Sequence, residues 1–501
     1  MSDYTHGSAG SRPESSLRAA IRGLVIAALF AAPAAAEREL PAIGDPADQV
    51  FSPREEAAIG RQMMARARAL LDLNSDPQIA EYVDRVGQRL TSHVSDGPED
   101  GFEFFVVHAP SINAFAAPGG YIGINSGLIL QAENEAQLAA VLAHEIAHVN
   151  QRHIARAYAA NQRSSYGTLA AVLAGLILSS QDPQAGQAAI TTGIAAEQQR
   201  RINYTRSNEY EADRIGIGLL TEAGYHPDGM SGMFDLLSRA SSGAGATPEF
   251  LRTHPLSSNR IAEARGRAAR IDTEGKLRDT LAFHQMRARL AVLESDEPQV
   301  LYQRWRAEQP SGEGHAATAH AYGLALLEIE LGDAAAAIER LQNLRTDAPD
   351  DLHYGLALVE AFREADRGDD ALAAWGEIHT LHPSAYPVIA AGADLHVEFH
   401  RASEAVELVT DFVRRSDDPP AEAWRDLARA AQAADRPTRS HEALAEFYAR
   451  TDRYDRALKQ LELALNAAES GSSDTLRLEA RMEQVRELQR RRIAASPASG
   501  G

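Results

Sequence analysis

One pentapeptide has residue types and spacing suited to metal chemistry: residues 144–148 read His-Glu-Ile-Ala-His. The apolar pattern around it predicts a helix that begins after Asn134, and residues four apart on a helix project from nearly the same face. His144 and His148 can therefore bind one Zn²⁺ together. Glu145 points to one side, where it can act as a general base on water without being a ligand. For the motif alone, a surface helix with scattered polar residues is the alternative.

A third ligand has to come from elsewhere in the chain. A longer form of this motif contains the third ligand itself, but it would require Gly at position 151 and His at position 154. This chain has Gln151 and Ile154 at those positions. His153 is out of register with the motif, so we expect it to face solvent. A carboxylate from a later helix is the usual remaining ligand, and Glu209 and Asp213 are four residues apart and share a helical face.

Glu209 can complete the ligand set, while Asp213 can accept the free ring N–H of a ligating His and fix its tautomer. Glu211 points elsewhere on the same helix. The alternative is an ordinary acidic helix start, in which Glu209 and Glu211 are solvated and favoured by the helix dipole. Without the upstream motif this alternative would be preferred.

Two further segments strengthen the pattern. Residues 113–120 read NAFAAPGG and precede the metal-binding motif, and residues 253–255 read Thr-His-Pro and follow the acidic segment. With four separated motifs in this order, the chain resembles the HtpX and CAAX-prenyl-endopeptidase family of gluzincin peptidases. The resemblance is strong over residues 50–270.

The resemblance implies roles for the site residues. His144, His148 and Glu209 would bind one Zn²⁺ per chain, Glu145 would be the catalytic base, and Asp213 would be a catalytic support beside the ligands. The resemblance also implies that an extended substrate pairs through its backbone with an edge strand. The predicted edge strand consists of Tyr121, Ile122, Gly123 and Ile124.

His254 and Arg260 are further candidates near the site. His254 follows the Gly- and Ser-rich residues 241–246, which we interpret as a mobile loop. Its imidazole could take a fourth zinc position and keep the enzyme latent until substrate moves the loop; the alternative is a His that only caps or packs on the next helix. Arg260 could support an oxyanion, or it could form a surface ion pair.

The surrounding elements predict an α+β fold that is mostly α. Helix-start patterns occur at residues 52–55 and 76–77, and short strands are predicted at residues 103–107 and 121–124. The resemblance adds the expectation of a zincin-like metallopeptidase domain with a small β-sheet. We place this domain at residues 37–270.

The chain after this domain repeats with a period near 34 residues. Tyr-Gly-Leu-Ala occurs at residues 322–325 and again at 354–357, and the spacing is typical of tetratricopeptide repeats. We expect a helical linker over 271–310, an all-α tetratricopeptide-like solenoid over 311–490 and a disordered tail over 491–501. Stacked repeats form a concave groove that suits a protein partner. A plain helical bundle is the alternative.

Composition and the N-terminus indicate the compartment. The 501-residue chain has no Cys. Its formal net charge of −20 argues against nucleic-acid binding. Three small residues ending at Ala36 follow a basic segment and an apolar run, so residues 1–36 are predicted to be a cleaved signal peptide and the protein to be periplasmic. A retained membrane anchor is the alternative. Residues 167–178 are too short to span a bilayer and could contact its surface, although a buried hairpin is preferred.

These features predict an exported zinc endopeptidase that degrades misassembled or stalled envelope proteins. Unfolded or stalled outer-membrane β-barrel proteins are the favoured substrates, and the solenoid would dock them or the outer-membrane assembly machinery. The alternative is a periplasmic chaperone or assembly scaffold in which the repeats act and the metal site is silent or latent.

Overall fold

The computed structural model describes residues 52–157, 205–242, 248–308 and 314–495. The predicted signal peptide and the hairpin at 167–178 lie outside these residues. No helix in the described part of the chain has both the length and the apolar character needed to cross a bilayer. A mixed region with one small sheet is followed by an all-helical array, which confirms the predicted α+β, mostly α fold class.

The helices of the first region begin where the sequence places its caps. Ser52 and Glu55 form a reciprocal capping box at the first helix, and the Asp76 side chain caps the second. The helices are α1 (Pro53–Leu70), α2 (Pro77–Thr91), α3 (Ser126–Gln131), α4 (Glu135–Asn150), α5 (153–157), α6 (205–222), α7 (Asp228–Ser242), α8 (Phe250–Thr253) and α9 (Ser258–Ala268).

Within the described residues, the sheet consists of β1 (Glu103–Val107), β2 (Ala114–Ala117) and β3 (Tyr121–Asn125). Their order is β1-β3-β2, with β3 parallel to β1 and antiparallel to β2. The prediction that Tyr121, Ile122, Gly123 and Ile124 form an edge strand is therefore wrong. β3 is buried along its whole length because it pairs on both sides, and β2 is the edge strand next to α4.

Helix α4 lies in the centre of the first core. Every residue from 135 to 147 is buried, so the helix is covered on all sides and its polar residues need partners inside the protein. Helix α7 packs closely against it, since a Cβ added at Gly229 would lie 2.2 Å from the backbone oxygen of Ala136. This packing fixes the element that carries the metal-binding motif.

Two helices connect the first region with the solenoid: α10 (Leu281–Leu293) and α11 (Pro298–Ala307). The solenoid consists of α12 (His315–Glu330), α13 (Ala334–Asp347), α14 (Leu352–Glu364), α15 (Gly368–Leu381), α16 (Tyr386–Glu398), α17 (Ala402–Arg415), α18 (Ala421–Ala433), α19 (Pro437–Arg450), α20 (Tyr454–Ala467) and α21 (Ser473–Ala495).

The repeat is visible in the backbone of the solenoid. Residues with positive φ end the first helix of successive helix pairs at Gly332, Asp366, His400 and Asp435, so the intervals are 34, 34 and 35 residues. These intervals match the tetratricopeptide period. Neighbouring units also repeat their packing, as in the buried rings of Tyr322 and Tyr354, whose centroids are 5.7 Å apart.

The junction between the two regions is packed and polar. Helix α10 contributes Phe283 and Met286 to the first core and Val292 to the core of the solenoid. Across the junction, the guanidinium of Arg289 contacts the Asp76 carboxylate at 2.7 Å, and His353 Nδ1 lies 2.8 Å from the side-chain oxygen of Gln78. The segment predicted to be a linker is thus part of the folded structure.

The C-terminal tail differs from the prediction. We predicted disorder over 491–501, whereas α21 continues through Ala495. Acidic and basic side chains three and four residues apart extend the helix, including the pairs that Glu487 makes with Arg490 and Arg491. Residues 496–501 lie outside the described part of the chain.

Candidate metal centre

A buried carboxylate anchors the N-terminus of α4. Glu135, in the first turn, accepts hydrogen bonds from the hydroxyls of Tyr82 at 3.2 Å and Tyr225 at 2.9 Å, and from the hydroxyl of Thr280. Its negative charge lies where the helix dipole favours it. Because these donors come from α2 and from two other segments, the orientation of α4 is fixed from several directions.

Ligand atoms from α4 and α6 converge at one point. His144 Nε2 lies 3.0 Å from His148 Nε2. The Glu209 carboxylate lies 3.5 Å from His144 Nε2 and 3.4 Å from His148 Nε2. These three residues and His254 each offer a ligand atom, and all four atoms lie within 4.8 Å of one another. A cluster of this size suits a single metal ion.

The second nitrogen of each motif histidine lies close to a polar atom of another side chain. His144 Nδ1 lies 3.0 Å from Asp213 Oδ1, and His148 Nδ1 lies 2.9 Å from His153 Nδ1. With the ring protons on Nδ1, both Nε2 lone pairs and the Glu209 carboxylate face one another, an arrangement that a cation stabilises. Two imidazoles and a carboxylate are donors that suit zinc, so the residues fit the metal that the motif predicts.

The electrostatics of the cluster also favour a bound cation. Burial lowers the pKa of His144, but hydrogen bonds with Asp213 and Glu209 outweigh burial and raise this pKa to about 10. Burial lowers the pKa of His148 to about 3, which keeps this ring neutral. Burial raises the pKa of Glu209, but hydrogen bonds from the surrounding imidazoles hold it well below its ordinary value. The neutral His148 imidazole and the ionised Glu209 carboxylate are in the protonation states that metal binding requires. At His144 the two carboxylates favour a positive charge, and a metal ion bound there would take the place of the proton.

Glu145 lies beside the ligand atoms with its carboxylate enclosed. Its side chain is 1% exposed, and burial raises its pKa. The backbone of Ala116 on strand β2 lies close enough to the carboxylate to oppose this rise in pKa, and Oε1 lies 3.5 Å from His254 Nε2. Glu145 therefore lies close both to the ligand cluster and to strand β2, where a general base would be needed.

His254 is part of the cluster. Its Nδ1 lies 3.0 Å from Glu209 Oε1 and 3.3 Å from His144 Nε2, and its ring stacks on Phe250 with centroids 4.6 Å apart. Residues 243–247, within the loop predicted to be mobile, lie outside the described residues. The imidazole is close enough to be a fourth ligand, and its role as a latch stays a prediction.

Arg260 lies behind the ligands and does not fit the oxyanion prediction. It is 2% exposed, and its Nε and Nη2 donate to the two oxygens of Asp213 at 2.7 and 2.8 Å. Its Nη1 lies 2.9 Å from Glu209 Oε2 and donates to the backbone oxygen of Pro255 at 2.8 Å. These contacts correct the prediction: the guanidinium neutralises two buried carboxylates and holds the segment next to His254.

His153 was predicted to face solvent, and this prediction is wrong. The residue is 4% exposed and contacts His148 on one side, and on the other side its Nε2 lies 3.1 Å from Glu211 Oε2. His153 turns inward because α4 does not continue: Arg152 has a φ of 50°, and the chain turns before α5 begins. Glu211 was likewise predicted to point away from the site, and it contacts His153. The signal that could have found both residues was that each is ionisable, lies near a predicted ligand in the sequence and had no predicted partner.

Comparisons with known proteins agree with this geometry. The family model "Peptidase family M48" matches residues 77–268. The chain is 31% identical over 453 residues to the beta-barrel assembly-enhancing protease of Escherichia coli, covering 90% of this chain and 92% of that protein. It is 42% identical over 252 residues to a putative beta-barrel assembly-enhancing protease of Vibrio cholerae, covering 50% of this chain and 52% of that protein.

A more distant relative is the mitochondrial metalloendopeptidase OMA1 of Schizosaccharomyces pombe, 33% identical over 180 residues, which covers 36% of this chain and 50% of that protein. The near-complete match to the Escherichia coli protein includes both the metal-binding region and the solenoid. The chain therefore belongs to the M48 metallopeptidases, in the group of the beta-barrel assembly-enhancing proteases.

Proposed function

We propose that the protein is a zinc-dependent endopeptidase of the periplasm that degrades misassembled or stalled outer-membrane β-barrel proteins. The observation that carries this proposal is the convergence of His144, His148 and Glu209 within one cluster, with Glu145 beside it. Zinc held by these three residues would supply a Lewis acid for the scissile carbonyl and make a water acidic near neutral pH. The relatives' name supports the class of substrate.

Glu145 is the proton carrier in this proposal. No protein group in the described part of the chain forms a hydrogen bond with its Oε1, so this oxygen can accept a proton from the attacking water. The raised pKa of the buried carboxylate lets it hold that proton and pass it to the leaving amine. Asp213 and Arg260 keep the His144 ring in place during these steps.

Strand β2 is the proposed substrate-binding strand. It replaces the earlier candidate β3, which is central in the sheet. Within the described residues β2 pairs only with β3, so its other edge can pair with an extended peptide through backbone hydrogen bonds. The proximity of the Ala116 backbone to the Glu145 carboxylate supports this choice of strand. Backbone pairing selects unpaired strands, which a stalled barrel exposes and a closed barrel does not.

His254 gives the proposed enzyme a latent state. Its Nδ1 lies among the ligand atoms, so the imidazole can fill the coordination position that catalysis requires to be open. Substrate entry along β2 would have to displace it. We expect His254→Ala to raise proteolysis of a denatured substrate without lowering metal content.

The solenoid is proposed to bind the substrate or the outer-membrane assembly machinery. Stacked tetratricopeptide units offer extended surfaces for protein partners, and the junction with α2 keeps these surfaces in a defined position relative to the metal centre. A peripheral membrane contact through residues 167–178 is a further element of the proposal.

Glu145→Gln tests the enzyme directly, because it preserves the size of the side chain and removes the base. We expect cleavage of a denatured outer-membrane protein to fall by about 10²- to 10⁴-fold, with zinc content unchanged. The matched control is Glu133→Gln, an exposed carboxylate just before α4, which should leave the rate unchanged. Cleavage by Glu145→Gln at the wild-type rate would contradict the proposed mechanism.

A second measurement on the same variant, barrel assembly in cells, distinguishes the scaffold alternative from the peptidase proposal. If Glu145→Gln loses proteolysis but fully retains barrel assembly in cells, the repeats carry the function and the peptidase does not. If both are lost together, the peptidase is required for assembly.

A further inference from the structure

His153 lies directly behind one of the ligating histidines. The chain turns at Arg152, where φ is 50°, and α5 begins with His153. The turn brings its ring against that of His148, with centroids 4.7 Å apart and planes at 78°. The two Nδ1 atoms are 2.9 Å apart, which is hydrogen-bond distance. One of these nitrogens must donate and the other must accept.

The direction of this hydrogen bond follows from the neighbouring atoms. His148 presents Nε2 to the ligand cluster, so in a neutral ring the proton has to be on Nδ1 for Nε2 to be a ligand. Nδ1 of His153 is then the acceptor, and its own proton is on Nε2. That Nε2 lies 3.1 Å from the Glu211 carboxylate, which can only accept when ionised.

Glu211 is held in turn by a cation. Arg156 Nη1 donates to Glu211 Oε2 at 3.1 Å. Each group from Arg156 through Glu211 and His153 to His148 therefore has one consistent role as donor or acceptor.

The two ligating histidines are supported in different ways. His144 contacts a carboxylate directly, since its Nδ1 lies 3.0 Å from Asp213. His148 reaches its carboxylate through a second imidazole, since His153 lies between it and Glu211. Partners of this kind fix the tautomer and the orientation of a metal ligand. His153 is nearly inaccessible to solvent, so water cannot readily replace it.

We propose that His153 is a positioning residue of the metal centre: it accepts a hydrogen bond from His148 Nδ1, holds His148 in the tautomer that leaves Nε2 free for the metal, and is itself oriented by Glu211. This inference rests on the proposed metal-dependent function, and it goes beyond that function by adding a residue outside the ligand set. His153 does not touch substrate, so it acts only through His148.

The proposal is tested by measuring the dissociation constant of the full chain for zinc, in competition with a chromogenic chelator. Because loss of such a partner typically weakens metal binding about 10- to 100-fold, we expect this loss for His153→Leu. His153→Asn should stay within about 3-fold of wild type, because the amide oxygen can take the place of Nδ1 as acceptor. His93→Leu, an exposed His in the same region, should have no effect.

The outcomes separate this proposal from the proposed function. If the wild-type chain does not bind zinc, the proposed function fails. If the wild type binds zinc and His153→Leu binds it as tightly, the positioning role is overturned. Equal losses in the Leu and Asn variants would likewise overturn it, because packing and not the acceptor atom would then be responsible.

A spectroscopic measurement covers the case in which His153→Leu does not fold. In the zinc-loaded wild type, ¹⁵N shifts of the His148 ring report which nitrogen carries the proton. We expect a protonated Nδ1 and a metal-bound Nε2 for His148. A metal-bound Nδ1 would overturn the proposal without use of any variant.

Discussion

The metal centre and the solenoid bury very different groups. Around the metal centre, ionisable side chains from distant parts of the chain face one another, as in the contacts of Arg260 with Asp213 and Glu209. In the two largest solenoid clusters, the buried side chains are alanines and larger aliphatic residues with a few aromatic rings, and they pack against neighbouring repeats. We therefore expect the stability of the metal centre to depend on charge balance and that of the solenoid core to depend on side-chain volume.

The two regions should also differ in how much stability is lost when one side chain is changed. A buried charge is tolerated only when it is paired, and removal of one partner exposes the others to the full desolvation penalty. A repeat contacts mainly its neighbours, so a local change there should be felt locally. The variants below test whether the two regions respond in these different ways.

Arg260→Leu should have the largest effect on stability, because it leaves Asp213 and Glu209 buried without their cation. We expect the free energy of unfolding in urea to fall by about 3–5 kcal/mol, and the affinity for zinc to fall as well. Arg265→Ala on the same helix is the control. Its pair with Asp235 is exposed, so its removal should cost about 0.5 kcal/mol or less. Similar losses for the two variants would contradict the distinction.

Gly392→Ala probes the packing of the solenoid. A Cβ at this position in α16 would lie 2.4 Å from ring atoms of Trp375, and we expect a loss of about 1–3 kcal/mol in urea unfolding from overpacking. Gly376→Ala in α15 is the matched change, because nothing lies within 4 Å of the added atom. It should stabilise the protein by about 0.4–1 kcal/mol. Neither change should alter zinc affinity, and an altered affinity would show that the regions are coupled.

His353→Asn tests the junction through the pH dependence of stability. Burial lowers the pKa of His353 to about 3 in the folded protein, against about 6.5 in an unfolded chain. The unfolded chain therefore binds the extra proton, and stability is lost as pH falls from about 6.5 towards 3.

Asn can keep the donated hydrogen bond to Gln78 and cannot titrate. Between pH 7.5 and 5.5, the free energy of unfolding of wild type should therefore fall by about 1.4 kcal/mol more than that of His353→Asn. Urea unfolding at the two pH values measures this difference. Identical pH dependence in both proteins would mean that His353 is not buried in its neutral form.

Sequence patterns predict local features of this molecule better than they predict contacts between distant residues. The caps at Ser52 and Asp76 and the 34-residue period of the solenoid are local, and the structure contains them. The spacing of His144 and His148 is local as well. Their approach to Glu209, which the sequence could only suggest, depends on the packing of α4 with α6.

The failures have physical causes of the same kind. The place of β3 in the middle of the sheet depends on which strands it pairs with, which its own five residues do not specify. The burial of His153 depends on a left-handed residue at Arg152, a conformation that a non-glycine residue seldom adopts. Neither the oxyanion role nor the surface ion pair considered for Arg260 describes its buried contacts, because Asp213 and Glu209 lie about 50 positions away in the sequence.

The most direct test of the account is the zinc stoichiometry and affinity of the purified full chain, compared with Glu209→Gln. Glu222→Gln, an exposed carboxylate on the same helix, is the control. The account predicts one tightly bound zinc per chain in wild type and in the control, and a loss of more than about 100-fold in affinity for Glu209→Gln, because removal of a ligand should cost more than removal of a ligand's partner. Zinc bound equally tightly by Glu209→Gln, or no zinc bound by wild type, would contradict it.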